Sequence, residues 1–170
     1  RCLLPTTRTL RTLALELLDR HSRKRVISEV EKYVILLQIL KEKDTGRFRH
    51  TLPGTALSIS HFIKDVKIST PEKSTPEKIS FESIKSRVRE YGWRFNYNLE
   101  LLLFAIEVME EYESLLKKEN LMDMEDIYSG SAGYLSEARF NEVIFEGFSE
   151  IPPYQQGFIS RLIEETRDVY

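Results

Sequence analysis

The sequence is poor in the residues that build disulfides and metal sites. Its 170 residues include a single cysteine, Cys2, and three histidines, His21, His50 and His61. One cysteine excludes an internal disulfide and a cysteine-based metal cage, and it is typical of the reducing cytoplasm, where we expect the protein to lie. The histidines are scattered without the spacing of a metal-binding motif, so we assign them no role and expect no metal in this chain.

Long apolar runs and an excess of one charge are also missing. The longest apolar runs, residues 33–37 and 101–106, are much shorter than the roughly 20 residues that cross a bilayer, so we expect no transmembrane helix and no membrane partner. The 25 basic and 27 acidic residues leave a net charge of −2. The chain as a whole is therefore not a general trap for polyanions, and any contact with nucleic acid has to be local.

The phosphate-binding loop of P-loop enzymes, Gly-x-x-x-x-Gly-Lys-Ser/Thr, does not occur in the sequence. That loop wraps backbone amides around the phosphates of a nucleotide, so a chain without it has no such cradle. We therefore expect that this chain alone is not a nucleotide hydrolase, has no catalytic residue and holds no cofactor. Because it begins at Arg1 rather than at methionine and ends in what resembles the first residues of a strand, we expect it to be a piece of a larger protein.

What the sequence does contain is typical of a helical protein of one domain. Apolar residues make up 41% and charged residues 31% of the chain, which favours a soluble unit with charged outer faces. Apolar residues recur at the helical period in several segments. We predict a first helix capped by Thr6 or Thr7 and a second from the capping box Ser28–Glu31 to about Lys43. Four more are predicted: a shorter third over residues 57–66, a fourth over 79–91, a long central helix over 97–120 and a last one over 154–165.

Two features of these helices carry further expectations. The second helix is expected to bury one apolar stripe, made of Val30, Tyr33, Val34, Leu37 and Leu40. The fourth follows a tandem repeat of Ser-Thr-Pro-Glu-Lys over residues 69–78. We interpret that repeat as a duplication in a tolerant loop rather than as a functional motif.

Asp123 and Asp126 form an Asp-x-x-Asp pair that places two carboxylates on one side of a helical turn. Such a pair is able to bind a metal, but no histidine or further carboxylate is spaced along the sequence to complete the ligand set. Acidic residues also favour helix starts, where the helix dipole attracts them. We therefore favour a helix N-terminus over a metal site.

Arginines alternate with aromatic rings in residues 87–95, which makes this segment the best candidate for contact with single-stranded DNA. Arginine binds phosphates and aromatic rings stack on bases, so we propose a DNA-contacting set made of Arg87, Arg89, Trp93 and Arg94. The alternative is that Trp93 and Phe95 anchor a loop in the core while the arginines stay solvated, and the acidic balance of the chain favours that reading.

Residues 143–148 form an apolar run that we predict to be a buried strand, followed by a loop, Pro152-Pro153 and the last helix. A strand that ends in acidic residues and leads through a loop into a helix is the layout of a Walker B site. In a working site an aspartate orients magnesium and the next acid activates water. Here the two positions are Glu146 and Gly147, and glycine has no side chain to act as a base. We interpret the pair as a degenerate Walker B motif.

Two segments resemble helicase subunits. Residues 123–128 resemble the Asp-Phe-Asp-Asp-Leu segment that precedes the Walker B strand of UvrD-like superfamily I helicases. Residues 140–155 resemble the AddB-type subunit of bacterial and archaeal helicase/nuclease complexes, in which an acid-Gly-Phe sequence replaces the helicase motif. The matching positions are Glu146, Gly147, Phe148, Pro152 or Pro153, and Gln155. Glu146 departs from the more usual aspartate.

The resemblance implies a mainly α-helical bundle with a short parallel β element at its C-terminal end, a fragment of a P-loop helicase-like domain. Residues 1–136 would be the helical insertion of the first helicase domain, and residues 140–170 the strand, loop and helix that return to its core. The implied function is a non-catalytic part of a DNA-repair helicase/nuclease subunit that guides DNA and scaffolds the complex. The implied partners are DNA and a partner helicase/nuclease subunit, with ATP and magnesium possible only in the parent protein.

Two other readings stay open. The chain is alternatively a helical protein-interaction module that binds no nucleic acid, because a bundle with a broad apolar surface also fits a partner subunit. In a third reading, Glu146 still coordinates magnesium in a parent protein that binds nucleotide without hydrolysing it.

Overall fold

The chain is built mainly from helices, as its composition predicts. The computed structural model describes residues 7–43, 51–69, 81–91, 99–138, 140–147 and 150–170. The helices in these ranges are α1 Leu10–His21, α2 Glu29–Lys43, α3 Leu52–Ser69, α4 Phe81–Tyr91, α5 Leu99–Lys118, α6 Ile127–Ala132, α7 Leu135–Ala138 and α8 Pro153–Glu164. The strands are β1 Arg25–Val26, β2 Leu121–Met122, β3 Glu142–Val143 and β4 Asp168–Val169.

The strands form two short parallel pairs. β3 pairs with β4, with Glu142 opposite Asp168 and Val143 opposite Val169, which confirms the predicted parallel element at the C-terminal end. β1 pairs with β2 in the same way, and this second pair was not predicted. A strand of two residues has no alternating pattern long enough to detect.

The buried apolar residues form two cores. The first lies between α2, α3 and α5, and the second between α1, α6, α7 and α8. The β1–β2 pair runs between them: Ile27 and Leu121 pack against the first core, whereas Val26 and Met122 pack against the second. Successive side chains of a strand point to opposite faces, so this small sheet connects the two cores.

The predicted boundary between the helical insertion and the C-terminal segment lies at residues 136–140. α8 belongs to the second core together with α1 and α6, so the packing crosses that division. The division itself stays a prediction. No helix in the described ranges combines the length and apolar composition needed to cross a membrane.

The predicted N-terminal cap is confirmed for α2 and is wrong for α1. The Ser28 backbone N–H donates to Glu31 Oε2 at 2.8 Å and the Glu31 N–H donates to Ser28 Oγ at 3.2 Å, which confirms the capping box. At α1 the cap is Thr9, whose Oγ1 accepts from the Thr12 N–H at 3.1 Å, so the prediction of Thr7 is wrong. Thr6 lies outside the described residues.

The predicted buried stripe of α2 is wrong in part. Val30 and Val34 are 72% and 55% exposed, whereas Leu36, Ile39 and Leu40 are buried. Lys32 is buried in the same stripe, with only 1% of its surface exposed. Sequence reasoning places a lysine outward because burial of an unpaired charge is costly, and the acidic partners of Lys32 lie far along the chain.

The other predicted helices are present as α3, α4, α5 and α8, whereas α7 was not predicted and α6 only as a helix start near Asp123 and Asp126. α3 begins at Leu52, before the predicted start at residue 57, so Pro53 lies in its first turn, where proline is tolerated. The central helix α5 spans 20 residues and contacts α2, α3 and α4, as expected for the element on which the first core is built. The tandem repeat lies outside the described residues except for Ser69.

Candidate functional site

A group of buried and partly buried charged side chains lies beside the connection between β2 and α6, with Lys67 of α3 at its centre. The Lys67 Nζ lies 2.6 Å from Glu113 Oε1 of α5. It also lies 2.8 Å from Asp123 Oδ2 and 2.6 Å from Asp126 Oδ2. The Tyr112 hydroxyl donates a hydrogen bond to Asp123 Oδ2 at 3.2 Å, and the Tyr112 ring centre is 5.9 Å from the Lys67 ammonium. Helix α5 and the connection between β2 and α6 therefore both supply acidic partners to this lysine of α3.

Lys32 of α2 supplies a second cation. Its Nζ donates a hydrogen bond to Glu125 Oε2 at 3.0 Å and lies 4.0 Å from Asp123 Oδ2. The side chains of Lys32 and Asp123 are each 1% exposed, and that of Glu125 is 5% exposed. The charge cluster is the name we give to these residues together, Lys32, Lys67, Tyr112, Glu113, Asp123, Glu125 and Asp126.

The two aspartates of the charge cluster are shifted in opposite directions. Burial opposes ionisation of Asp123, but the positive charges of Lys67 and Lys32 outweigh it and hold the pKa of Asp123 below its usual range. Burial raises the pKa of Asp126 to about 7, and the negative charges of Asp123 and Glu113 add to this effect against the attraction of Lys67. Burial opposes the charge of Lys67 too, but its three acidic neighbours raise the pKa of Lys67 well above its ordinary value.

The aspartates stand where helix starts were predicted, but they do not cap them. Asp123 precedes a single 3₁₀ turn, Met124–Asp126, and Asp126 precedes α6. Neither side chain accepts a hydrogen bond from the backbone of the helix that it precedes. The prediction of a helix N-terminus is therefore right for the backbone, whereas the carboxylates turn toward the lysines.

The same acids have the spacing of a metal site. One oxygen from each of Glu113, Asp123 and Asp126 lies within 4.8 Å of the others. The Lys67 ammonium contacts all three carboxylates, at 2.6 to 2.8 Å, and so occupies the space that a cation would need. The arrangement is therefore an ion-pair cluster around a lysine, and nothing in its donor set calls for a metal in addition.

Sequence reasoning found the aspartates and missed the lysines. Lys32 is one helical turn before Leu36, and Lys67 is one turn after Ile63, so each lysine continues a buried stripe of its own helix. A lysine in such a position is a signal that acids from elsewhere in the chain must meet it.

The second candidate site is the C-terminal unit that runs from β3 through α8 to β4. Backbone hydrogen bonds extend the pairing beyond the strands, from the Asp168 N–H to the Asn141 carbonyl at 3.1 Å and from the Phe145 N–H to the Tyr170 carbonyl at 2.9 Å. Glu146 follows this ladder directly and is exposed. In open parallel sheets ligands bind beyond the carboxyl ends of the strands, and Glu146 lies at such an end.

Gly147 has a backbone conformation that suits glycine. Its φ is +78°, in the left-handed region, and a Cβ at this position would meet open space. Any other residue would be strained there by its backbone rather than by its neighbours. The backbone at position 147 therefore favours glycine over any residue with a side chain.

The prediction that residues 143–148 form a buried strand is wrong. β3 has two residues, Ile144 is 66% exposed and Val143 and Phe145 are only partly buried. A continuous apolar run is buried on both faces only when other elements cover both. Among the described residues β3 pairs with β4 alone. Phe148 lies outside the described residues.

The segment of residues 123–128 contacts α8. Tyr128 of this segment packs against the rings of Tyr154 and Phe158 in α8, with ring centres 5.5 and 5.6 Å apart. Gln155 donates hydrogen bonds to the hydroxyls of Tyr128, at 3.3 Å, and of Tyr154, at 3.1 Å. Pro153 starts α8.

Of the predicted DNA-contacting residues, Arg87 and Arg89 are exposed on α4. Residues two apart on a helix lie on different faces, so these arginines do not form one surface. Trp93 and Arg94 lie outside the described residues. The contact of these four residues with DNA stays a prediction.

Comparison of the sequence with models of known protein families and with curated proteins found no match.

Proposed function

We propose that this chain is a non-catalytic, helicase-like part of a DNA-repair helicase/nuclease subunit of the AddB type. Its role is to guide a DNA strand and to scaffold the complex, in which the partner helicase/nuclease subunit supplies chemistry. ATP and magnesium belong to the parent protein in this proposal.

One observation carries the proposal: β3, α8 and β4 form a strand, helix and parallel strand with Glu146-Gly147 at the carboxyl end of the first strand. Parallel strands joined through a helix are the repeating unit of nucleotide-binding α/β sheets, whose sites lie at this end. The contact of Tyr128 with Tyr154 and Phe158 adds support, because it joins the two segments on which the resemblance depends.

The loss of catalysis follows from position 147. A general base needs a titratable side chain within reach of water, and Gly147 has none. Its left-handed φ also disfavours a glutamate at the same backbone position. Glu146 alone retains the ability to orient a magnesium ion. If it does so in the parent, the parent's nucleotide affinity should depend on magnesium, and equal affinity with and without the ion would contradict that role.

DNA guidance is assigned to Arg87, Arg89, Trp93 and Arg94. The measurement is the fluorescence anisotropy of a labelled single-stranded oligonucleotide, at salt concentrations from about 50 to about 200 mM. Each arginine that contacts a phosphate contributes about 0.7 to the slope of log K against log salt for single strands. Arg89→Ala should reduce the slope by that amount, and Trp93→Ala should weaken binding by about 1–3 kcal/mol through lost stacking.

Arg167→Ala is the matched control for this test, since the Arg167 side chain is 85% exposed and lies far along the chain from α4. It should leave both the affinity and the slope unchanged. If Arg89→Ala and Trp93→Ala bind as tightly as the wild type, the DNA-contacting set is wrong. If the wild type binds no oligonucleotide at low salt, strand guidance by this chain is wrong as well.

A second function is favoured by apolar side chains exposed on α2. Val30 and Val34 are 72% and 55% exposed and lie one turn apart, so they share one face of the helix. This face suits a protein-interaction module. In that case Val34→Asp should abolish association with the helicase/nuclease partner and leave the thermal midpoint unchanged. Retained association in this variant would argue against the module, and salt-dependent DNA binding would favour the first proposal.

A further inference from the structure

A small cleft lies on α1, beside the end of α7. The apolar part of its wall is formed by Leu13 and Leu17 of α1, by Ala138 of α7 and by Phe140. Its volume is about 180 Å³. Pockets for drug-sized ligands measure about 300–1,000 Å³, so this cleft has room for a single ring with its substituents rather than for a large ligand. We call it the α1 cleft.

Three charged side chains complete the wall of the α1 cleft, namely Arg8, Glu16 and Arg20. Glu16 Oε2 lies 2.5 Å from Arg8 Nη1 and 3.9 Å from Arg20 Nη2. Two guanidinium groups therefore face one carboxylate, and the wall of the cleft keeps an excess of positive charge. A cleft with such an excess attracts an anionic group.

Arg20 is the cation that is better placed to bind a ligand. Its side chain is 65% exposed, and its 3.9 Å contact with Glu16 is long for an ion pair. Arg8 is 34% exposed and stays close to Glu16. Exposed ion pairs contribute little to stability, so Arg20 is able to turn from Glu16 to a ligand at small cost. A guanidinium presents a fork of N–H donors that matches the oxygens of a phosphate.

Phe140 adds an aromatic ring to the same cleft. It is half-buried, and it packs against the second core, which fixes its place. Proteins bind single-stranded nucleic acid with this combination, because the ring stacks on a base while the cation binds a phosphate. In the DNA-contacting set the combination comes from neighbouring residues. Here the fold brings it together from α1 and from the residue that precedes the C-terminal unit.

We propose that the α1 cleft binds one nucleotide unit, with its base against Phe140 and its phosphate on Arg20 and Arg8. The unit is either a free mononucleotide or one nucleotide of a DNA strand, since both offer the same base and phosphate. The choice of a nucleotide over other phosphate-bearing rings rests on the proposed function. The cleft includes no member of the DNA-contacting set, and it is separate from Glu146, because Phe140 precedes β3 and Glu146 follows it.

The first test needs no variant. Adenosine monophosphate is added to the wild-type chain, and the backbone amides are followed by NMR. The amides of residues 13–20 and of Phe140 should shift, while those of α4 stay unchanged. Inorganic phosphate should need a concentration at least about 5-fold higher for the same shift, because it gains nothing from stacking. Absence of these shifts, or equal concentrations for the two probes, would overturn the proposal.

Phosphotyrosine tests the other source of a ring that bears a phosphate. If it shifts the same amides at a lower concentration than adenosine monophosphate does, the cleft accepts a phosphorylated protein and the proposal is wrong. A higher concentration for phosphotyrosine would support a nucleotide as the ligand.

The second test uses two variants, Arg20→Gln and Phe140→Leu. Arg20→Gln changes an exposed side chain, and Phe140→Leu keeps most of the apolar volume and removes the ring. Phe140→Leu should bind adenosine monophosphate about 5-fold or more weakly than the wild type through lost stacking. With a labelled single-stranded oligonucleotide, Arg20→Gln should reduce the slope of log K against log salt by about 0.7, the value of one phosphate contact.

Each variant has a matched control. Arg161→Gln matches Arg20→Gln, because Arg161 is 48% exposed and pairs with Glu165 at i,i+4 near the end of its own helix. Phe62→Leu matches Phe140→Leu, because Phe62 is half-buried against the first core. Neither control should change the binding of adenosine monophosphate or of the oligonucleotide.

The outcomes separate the α1 cleft from the proposed strand guidance. If Arg20→Gln and Phe140→Leu bind adenosine monophosphate like their controls, the cleft is not the site and the proposal is wrong. If they lose adenosine monophosphate and also bind the oligonucleotide more weakly, the cleft holds one nucleotide of a strand. If they lose adenosine monophosphate alone, the ligand is a free mononucleotide. Oligonucleotide binding by a wild type that ignores adenosine monophosphate would leave strand guidance in place and overturn the cleft.

Discussion

Replacement of Lys67 by methionine tests the central ion pair of the charge cluster. Methionine keeps the length and flexibility of the side chain and removes the ammonium, so Glu113, Asp123 and Asp126 lose their nearest cation. Lys67 is 9% exposed, and removal of one partner from a buried ion pair costs about 3–5 kcal/mol.

The structure favours the lower end of that range. Asp126 is 34% exposed, so solvent screens part of the negative charge that loses its cation. Lys32 remains 4.0 Å from Asp123 Oδ2. We therefore expect a loss of about 3 kcal/mol in the free energy of unfolding, which corresponds to roughly 10 °C in Tm for a domain of this size.

The assay is urea and thermal unfolding followed by circular dichroism at about pH 7.5 and again at about pH 5. The loss in the free energy of unfolding should be smaller at the lower pH. The carboxyl groups left without Lys67 in the folded variant bind protons more readily than those in the unfolded chain.

Lys64→Met is the matched control, since Lys64 is exposed on α3 one turn earlier. It should change stability by less than about 0.5 kcal/mol. If Lys67→Met and Lys64→Met unfold at the same urea concentration, the ammonium of Lys67 does not hold the cluster together and the reasoning is refuted.

Two further predictions concern the backbone. Ser28→Ala removes the cap of α2, whose Oγ accepts from the Glu31 N–H at 3.2 Å, and should lower the free energy of unfolding by about 1 kcal/mol. Ser58→Ala, an exposed serine to alanine change within α3, serves as its control in the same urea assay and should cost less. Gly147→Ala should cost roughly 1 kcal/mol through its left-handed φ alone, because a Cβ there meets no atom. Gly133→Ala, at a glycine with negative φ and open space around its Cβ, should cost less, and an equal cost for both alanines would remove the argument for strain at position 147.

The helices show how far local reasoning extends. The capping box at Ser28 and the period of α5 each depend on residues within a few positions of one another, and both were predicted. The same reasoning failed on the buried face of α2. Val30 and Val34 are apolar and exposed, whereas Lys32 is charged and buried, because a distant group of acids decides which face of the helix turns inward.

For the candidate sites too, local motifs were found from the sequence, whereas burial and shared surfaces were not. Glu146 and Gly147 were identified from a short motif, and in the structure they follow β3, while their role stays a prediction. The strand itself was predicted to be buried, which is wrong, because burial depends on the elements that cover both of its faces. Arg87 and Arg89 were grouped by their alternation in sequence, but a helix separates residues two apart onto different faces.

The sequence by itself determined that this protein is mainly helical, where most helices lie, and that a strand, a loop and a helix follow one another after residue 140. Those features follow from propensity, capping and period, which act between near neighbours. The tertiary structure alone decided that Lys67 meets Asp123 and Asp126, 56 and 59 positions further along the chain, and that Lys32 meets Glu125, 93 positions away. A buried charge is tolerated only beside its partner, so the charge cluster forms only once the whole chain has folded.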